Sequence, residues 1–157
     1  MPRLLVFVPC EKVIISRDEN NPTLVAIMSQ VGGSVPDEAM AHVSDDKPSG
    51  VPFQWSVFTM WYQESGDVGR KFEQVVALRS PSGKELIRAT QGFELAKTTH
   101  RLYMRFPWFP VETGTWSIEL FLHEMGTEIP VQPIATYPIK AKFVAEKSSI
   151  TKETTTT

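Results

Sequence analysis

The sequence has little cysteine, no excess of positive charge and no long apolar run, and each absence excludes a class of protein. Cys10 is the only cysteine in 157 residues, so no internal disulfide framework can form. Sixteen Lys and Arg against eighteen Asp and Glu give a net charge of -2, which does not attract a phosphate backbone or an anionic membrane surface. No segment approaches the roughly 20 apolar residues of a membrane span. We therefore predict no nucleic-acid partner and no membrane partner.

The first apolar run also bears on location. Leu4–Val8 is too short for the apolar part of a secretory signal, and the charged residues Glu11 and Lys12 soon follow it. A cytoplasmic location is the default expectation, and the single cysteine fits a reducing compartment.

What the sequence does contain is a set of short runs in which apolar and polar residues alternate, broken by Gly, Pro, Ser and Asn. The segments 101–106, 116–122 and 139–143 show this period of two most clearly, and it is typical of half-buried strands. The fold class is predicted to be all-β, an antiparallel β-sandwich of about seven to nine strands, immunoglobulin-like or similar. Strands are expected near residues 3–8, 11–16, 23–29, 53–63, 71–79, 85–91, 93–98, 101–106, 115–123 and 134–144.

The chain is long enough for one compact core, so residues 1–145 are interpreted as a single domain. Residues 146–157 are polar and end in four threonines, which predicts a disordered tail. Between two predicted strands, Ser80–Gly83 has the composition of a tight turn, so residues 71–91 should form a hairpin. Residues 32–52 indicate a long loop, within which residues 36–42 are the one helix candidate.

Two parts of the sequence resemble a family of small bacterial all-β proteins of unknown function. The first part comprises Cys10-Glu11 in an opening strand and Thr23–Ile27 in the next strand. The second part is the closing pair of segments, Gly114–Leu122 and Ile134–Val144. Where that family has a glycine after an apolar pair in the second strand, this chain carries Ala26. The resemblance implies a β-sandwich and no particular activity.

Catalytic chemistry has weak support in the sequence. Cys10 is flanked by Pro9 and Glu11, and a neighbouring carboxylate disfavours the thiolate that a nucleophile requires. The histidines, His42, His100 and His123, follow no metal-binding or nucleophile spacing. We interpret Cys10 as a structural cysteine and assign no catalytic residue, metal ligand or cofactor.

Aromatic residues form two groups that predict either core or contact surface. The end of the segment 53–62 is apolar on both faces, with Phe58, Trp61 and Tyr62. Its cover can be the chain's own core, a partner subunit, or a flat ligand such as a sugar ring. Trp108 and Phe109 lie between two prolines, which places them on a loop or an edge strand.

A third candidate group is basic. Arg101, Tyr103 and Arg105 alternate along one face of a predicted strand, and Glu119 lies near them if that strand pairs with residues 116–122. Such a group can hold a carboxylate or phosphate, or it can be a solvated sheet face with cross-strand ion pairs.

These observations favour a non-catalytic cytoplasmic binding or assembly module that acts through protein–protein contacts. The partner would be another protein or a second copy, held through an edge strand or through the aromatic patch. Two alternatives stay open. One is a carbohydrate- or small-ligand-binding sandwich that uses the same aromatics, and the other is a thiol- or histidine-based enzyme.

Overall fold

The computed structural model describes residues 1–18, 21–41 and 49–146, which form a β-sandwich whose strand pairs are antiparallel except for the parallel pair of β3 and β9. Sheet 1 has the strand order β2-β1-β4-β7, and sheet 2 has the order β3-β9-β8-β5-β6. The elements are β1 (Arg3–Ile15), β2 (Pro22–Ile27), β3 (Gln30–Pro36), α1 (Asp37–Ala41), β4 (Gly50–Tyr62), β5 (Lys71–Arg79), β6 (Glu85–Glu94), β7 (Thr99–Pro110), β8 (Gly114–Glu124) and β9 (Ala135–Glu146).

The fold-class prediction is confirmed, and the alternating runs explain it. In β8 the side chains of Trp116, Ile118 and Leu120 are fully buried, whereas Ser117 and Glu119 between them are half-buried on the other face. Each such strand turns one apolar row toward the opposite sheet and one polar row outward. The buried rows of the two sheets meet in a single main core.

The two predicted hairpins near the middle and the end of the chain are confirmed. β5 pairs antiparallel with β6, and the turn between them contains Gly83 at a φ of 88°, a left-handed conformation that glycine adopts without strain. β8 pairs antiparallel with β9. The short helix α1 lies within the predicted helix candidate, while His42 falls outside the described residues, as does the tail beyond Glu146.

Several strand boundaries were predicted wrongly. The segments 3–8 and 11–16 form one continuous strand, β1, and the segments 85–91 and 93–98 are replaced by β6, which ends at Glu94. The predicted loop 32–52 contains most of β3, which pairs parallel to β9 along all seven of its residues. Gly32 and Gly33 concealed this strand, because glycine has low strand propensity.

The pairing of residues 101–106 with residues 116–122, the condition for placing Glu119 near the basic group, does not occur. β7 pairs with β4 in sheet 1, whereas β8 lies between β5 and β9 in sheet 2. The connection between β7 and β8 passes from one sheet to the other, as sandwich topologies allow. Glu119 is therefore on the opposite sheet from Arg101, Tyr103 and Arg105.

Candidate functional site

The outward face of sheet 1 is where most of the predicted site residues lie. In the pairing of β4 with β7, Phe58 stands opposite Tyr103 and Ser56 stands opposite Arg105. Their neighbours Val57 and Met104 belong to the main core, so Phe58, Ser56, Tyr103 and Arg105 point outward. Phe58 is nevertheless only 2% exposed and is not part of that core. Something on the outside of sheet 1 must cover it.

The cover is the far end of the hairpin formed by β1 and β2, residues 12–15 and 22–25, here called the hairpin arm. Arg3 near the beginning of β1 and Thr99 at the beginning of β7 both pair with Tyr62, so these two strands begin at the same end of sheet 1. If β1 were straight, its last residue, Ile15, would lie far from that end. Ile15 instead lines a shallow pocket together with residues 97–101. The hairpin arm therefore turns back across the outward face of sheet 1.

The two sides of the hairpin arm differ in burial, as this position requires. Val13 and Leu24 are directly opposite each other, share one side, and are both half-buried. Val13 also lines a pocket with Ser56 and Arg105. The side with Val13 and Leu24 thus faces sheet 1, and the other side faces solvent.

The bend that turns the hairpin arm lies where β1 leaves β4. Cys10 is the last residue of β1 that pairs with β4, and it also pairs with Ile27 of β2. Ala26, next to Ile27, has a φ of 50°, the one left-handed conformation of a non-glycine residue in the described chain. Because β-carbon contacts disfavour that conformation, Ala26 holds local strain at the bend.

The solvent side of the hairpin carries an uncovered row of branched aliphatic side chains. Ile14, Val25 and Ile27 are 44%, 39% and 59% exposed. In register, Lys12 is opposite Val25 and Thr23 is opposite Ile14, so Ile14 and Val25 share a face with two polar neighbours. Ile27 lies on the other side of the bend, opposite Cys10. We call Ile14, Val25 and Ile27 the apolar strip.

The outward face of sheet 2 contains an apolar surface that is covered by other side chains of the same sheet. Phe121 lies there with Val75 and Ala77, and all three are buried. The Arg88 guanidinium carbon is 5.6 Å from the centroid of the Phe121 ring, and Arg88 donates hydrogen bonds to Glu85. Val75, Ala77 and Phe121 are thus buried beside charged side chains, whereas the apolar strip is exposed.

The predicted aromatic site is mostly interior. Trp61 and Phe109 are both fully buried, and the Trp61 indole donates a 3.1 Å hydrogen bond to the Gln74 side-chain oxygen across the core. Trp108 is half-buried on the edge strand β7, as the two prolines predict. Tyr62 is half-buried under the guanidinium of Arg3, 5.1 Å from its ring centroid.

The basic group is brought together only in part. Tyr103 is 37% exposed, and the Arg105 guanidinium carbon lies 5.3 Å from its ring centroid. Arg101 is half-buried beside the same pocket as Ile15. On the outward face of sheet 2, Glu119 of β8 accepts two 3.0 Å hydrogen bonds from Arg79 of the neighbouring strand β5. Glu119 therefore forms its ion pair within sheet 2.

Cys10 is fully buried, and desolvation raises the pKa of its thiol. His100 stacks on Phe93 with 5.1 Å between ring centroids, and burial lowers its pKa. His123 is buried between Glu73 and the Thr127 carbonyl oxygen. These three side chains therefore have structural surroundings, and no hydrogen bond within the described residues joins Cys10 to either histidine.

Two further observations concern the parts of the chain that the structure describes. No group of three or more His, Cys, Asp or Glu side chains there could hold a metal ion. None of the helical structure found over those residues is long and apolar enough to cross a membrane.

The sequence reasoning missed the apolar strip. Ile14, Val25 and Ile27 lie in runs that are apolar at successive positions, which indicates burial on both faces. The signal that could have identified Ile14 and Val25 is their spacing on either side of the segment that joins the two strands, which places them on one face of a two-stranded ribbon.

Comparison with known proteins identifies no family. No protein-family model matches the sequence, and no curated protein is similar to it. Among solved structures, the chain is similar to the CARDB domain of a protein from Pyrococcus furiosus, determined in complex with di-metal ions. The identity is 12%, the TM-score is 0.43, and the alignment covers 90% of this chain and 89% of that chain. The sandwich assignment here rests on the strand pairing of the chain itself.

Proposed function

We propose that this protein is a non-catalytic binding module that acts through protein–protein contacts, and that the apolar strip is its contact surface. The observation that carries the proposal is the exposure of Ile14 and Val25 on one face of the hairpin arm and of Ile27 beside the bend. Complete burial of a branched aliphatic side chain gains about 1.5–3 kcal/mol, and a partner that covers these partly exposed side chains gains roughly half of that for each.

The neighbourhood of the strip suits a protein partner. β2 is the outer strand of sheet 1, so its free edge can pair with a strand of another chain. The polar neighbours Lys12 and Thr23 are the kind of residues that surround the apolar centre of an interface. A second copy of the chain and a different protein are both compatible with these features.

Exposure of Trp61 and Trp108 in one concave strip would favour the carbohydrate alternative, but Trp61 is fully buried. The thiol-enzyme alternative required a histidine within hydrogen-bond reach of a reactive thiol. The Cys10 side chain, in the middle of β1, is instead fully buried, and desolvation disfavours its thiolate form. Protein–protein binding is the function that the described surface supports best.

Site-specific photo-crosslinking in the protein's own cells tests the proposal. We expect a photoreactive amino acid at Val25 to give one discrete adduct, and the same group at Thr90, an exposed position on sheet 2, to give none. Adding Ile27→Lys to the Val25 probe should abolish the adduct, because a charge in the strip opposes burial. Equal labelling from Val25 and Thr90, or an adduct that survives Ile27→Lys, would argue against the strip as an interface.

A further inference from the structure

A second surface feature is a pocket of about 340 Å³ between the sheets, where β3 faces the first residues of β4. Its lining is about equally polar and apolar, and the apolar side chains are those of Val31, Val35, Val51, Phe53 and Phe143. Val35 and Phe143 belong to the main core, and the other three pack against it. A concave site of this size with a mixed lining suits a compact small molecule that has both an apolar and a polar part.

Gly33 keeps this pocket open. It stands opposite Phe143 in the parallel pairing, on the same side of β3 as Val31 and Val35. A β-carbon built on Gly33 meets no atom within 4 Å, and Gly33 is not among the glycines with left-handed φ. By contrast, a β-carbon on Gly32 would lie 2.3 Å from the Lys142 carbonyl oxygen. The backbone thus explains glycine at position 32 but not at position 33.

A glycine inside a strand lowers its stability, and often marks a place where a ligand approaches closely. At Gly33 the approach is to the pocket that Phe143 lines. Any larger side chain there would occupy the pocket.

Glu11 is the one charged residue that lines the pocket. It forms no ion pair with any residue of the described chain. An unpaired carboxylate beside an apolar surface is complementary to a ligand that carries one positive charge on a compact hydrocarbon group.

We propose that this pocket binds a small organic ammonium ion, with its hydrocarbon part against Phe143 and Gly33 and its nitrogen toward Glu11. None of the three residues of the apolar strip lines the pocket, so this proposal does not depend on the proposed protein–protein function. No covalent chemistry is involved.

NMR titration of the full chain with cyclohexylammonium, and with cyclohexanol as a neutral ligand of the same shape, tests the site. We expect millimolar binding of cyclohexylammonium, as is usual for a ligand this small, with shift changes at Val35 and Phe143. Cyclohexanol should bind more weakly. Glu11→Gln should reduce cyclohexylammonium affinity by about threefold, the size of an exposed ion pair, and leave cyclohexanol affinity unchanged.

Gly33→Val should reduce binding of both ligands at least about tenfold because it fills the pocket, whereas Thr90→Val, the same side chain on sheet 2, should change neither. If Gly33→Val does not fold, Gly33→Ala replaces it, with weaker binding still expected. Wild-type affinity in the Gly33 variant would overturn the location of the site. Equal affinity for the two ligands in the wild-type protein would overturn the role of Glu11.

Discussion

Gln74 shows at the level of one residue how the two sheets are held together. Its buried side-chain oxygen accepts a 2.7 Å hydrogen bond from the Thr59 hydroxyl and a 3.1 Å hydrogen bond from the Trp61 indole, both on the facing sheet. Few polar side chains are this deeply buried in the core. Two donors from sheet 1 therefore depend on one acceptor from sheet 2, which fixes the relative position of the strands.

We expect Gln74→Leu to lower the free energy of unfolding by about 2–4 kcal/mol, because both donors then remain buried without an acceptor. Urea denaturation measures the loss. Gln91→Leu is the matched control, since the Gln91 side-chain oxygen already lacks a hydrogen-bond partner and its loss leaves no donor unpaired. If the Gln74→Leu protein is as stable as the Gln91→Leu protein, the hydrogen bonds from Thr59 and Trp61 to Gln74 contribute little to stability.

Cys10 gives the molecule a predictable response to alkaline pH. Desolvation raises the pKa of the native thiol above that of the unfolded chain, which is about 8.5. Above that pH the unfolded chain loses its proton while the native protein retains it, so stability should fall as pH rises. Below it, Cys10 contributes no pH dependence.

The measurement is urea unfolding between about pH 7 and 9.5, the range around the ordinary thiol pKa. Cys10→Ala should be less stable than the wild type at neutral pH because it leaves a small cavity, yet it should lose part of the alkaline slope. If both proteins show the same slope, other groups cause it.

Among the elements, the hairpin formed by β1 and β2 is the most unusual. Ala26 occupies a left-handed conformation at its bend. Glycine at such a position is free of β-carbon strain, although it also increases the entropy of the unfolded chain.

We expect Ala26→Gly to raise the free energy of unfolding by about 0.5–1 kcal/mol, since relief of strain exceeds the entropic loss. Ala145→Gly in β9 is the control. Ala145 has no left-handed φ, so this substitution should lower the free energy of unfolding by about 0.5–1 kcal/mol. Thermal denaturation distinguishes the two. Destabilisation by both substitutions would mean that the bend does not store strain at Ala26.

Sequence pattern predicted the strands that alternate, such as β8 and β9, because each places one row of side chains in the core and one row outside. It could not predict which strands pair, since β7 and β8 carry the same pattern and belong to different sheets. It could not predict β3, whose two central glycines lack strand propensity. For the candidate site, the pattern identified Phe58 as covered on the outside, but only the bend at Ala26 shows that the hairpin arm covers it.

Across the whole molecule, the two outward faces differ in how their apolar side chains are treated. On sheet 2, Phe121 is shielded by Arg88, and the surrounding ion pairs complete the surface. On sheet 1, the hairpin arm covers Phe58 and in doing so presents Ile14, Val25 and Ile27 to solvent. The hairpin thus buries one apolar surface, around Phe58, and leaves another, the apolar strip, exposed. An exposed apolar surface of this kind is expected where a protein contacts a partner.

Radical footprinting of Ile14, Val25 and Ile27, compared between the purified protein diluted until it is monomeric and the protein in its own cells, tests the binding function most directly. We predict strong protection of these three side chains in cells and none at Val131, which is 97% exposed on the loop between β8 and β9. Equal modification of the apolar strip in both settings would contradict the proposal that it is a protein-binding surface.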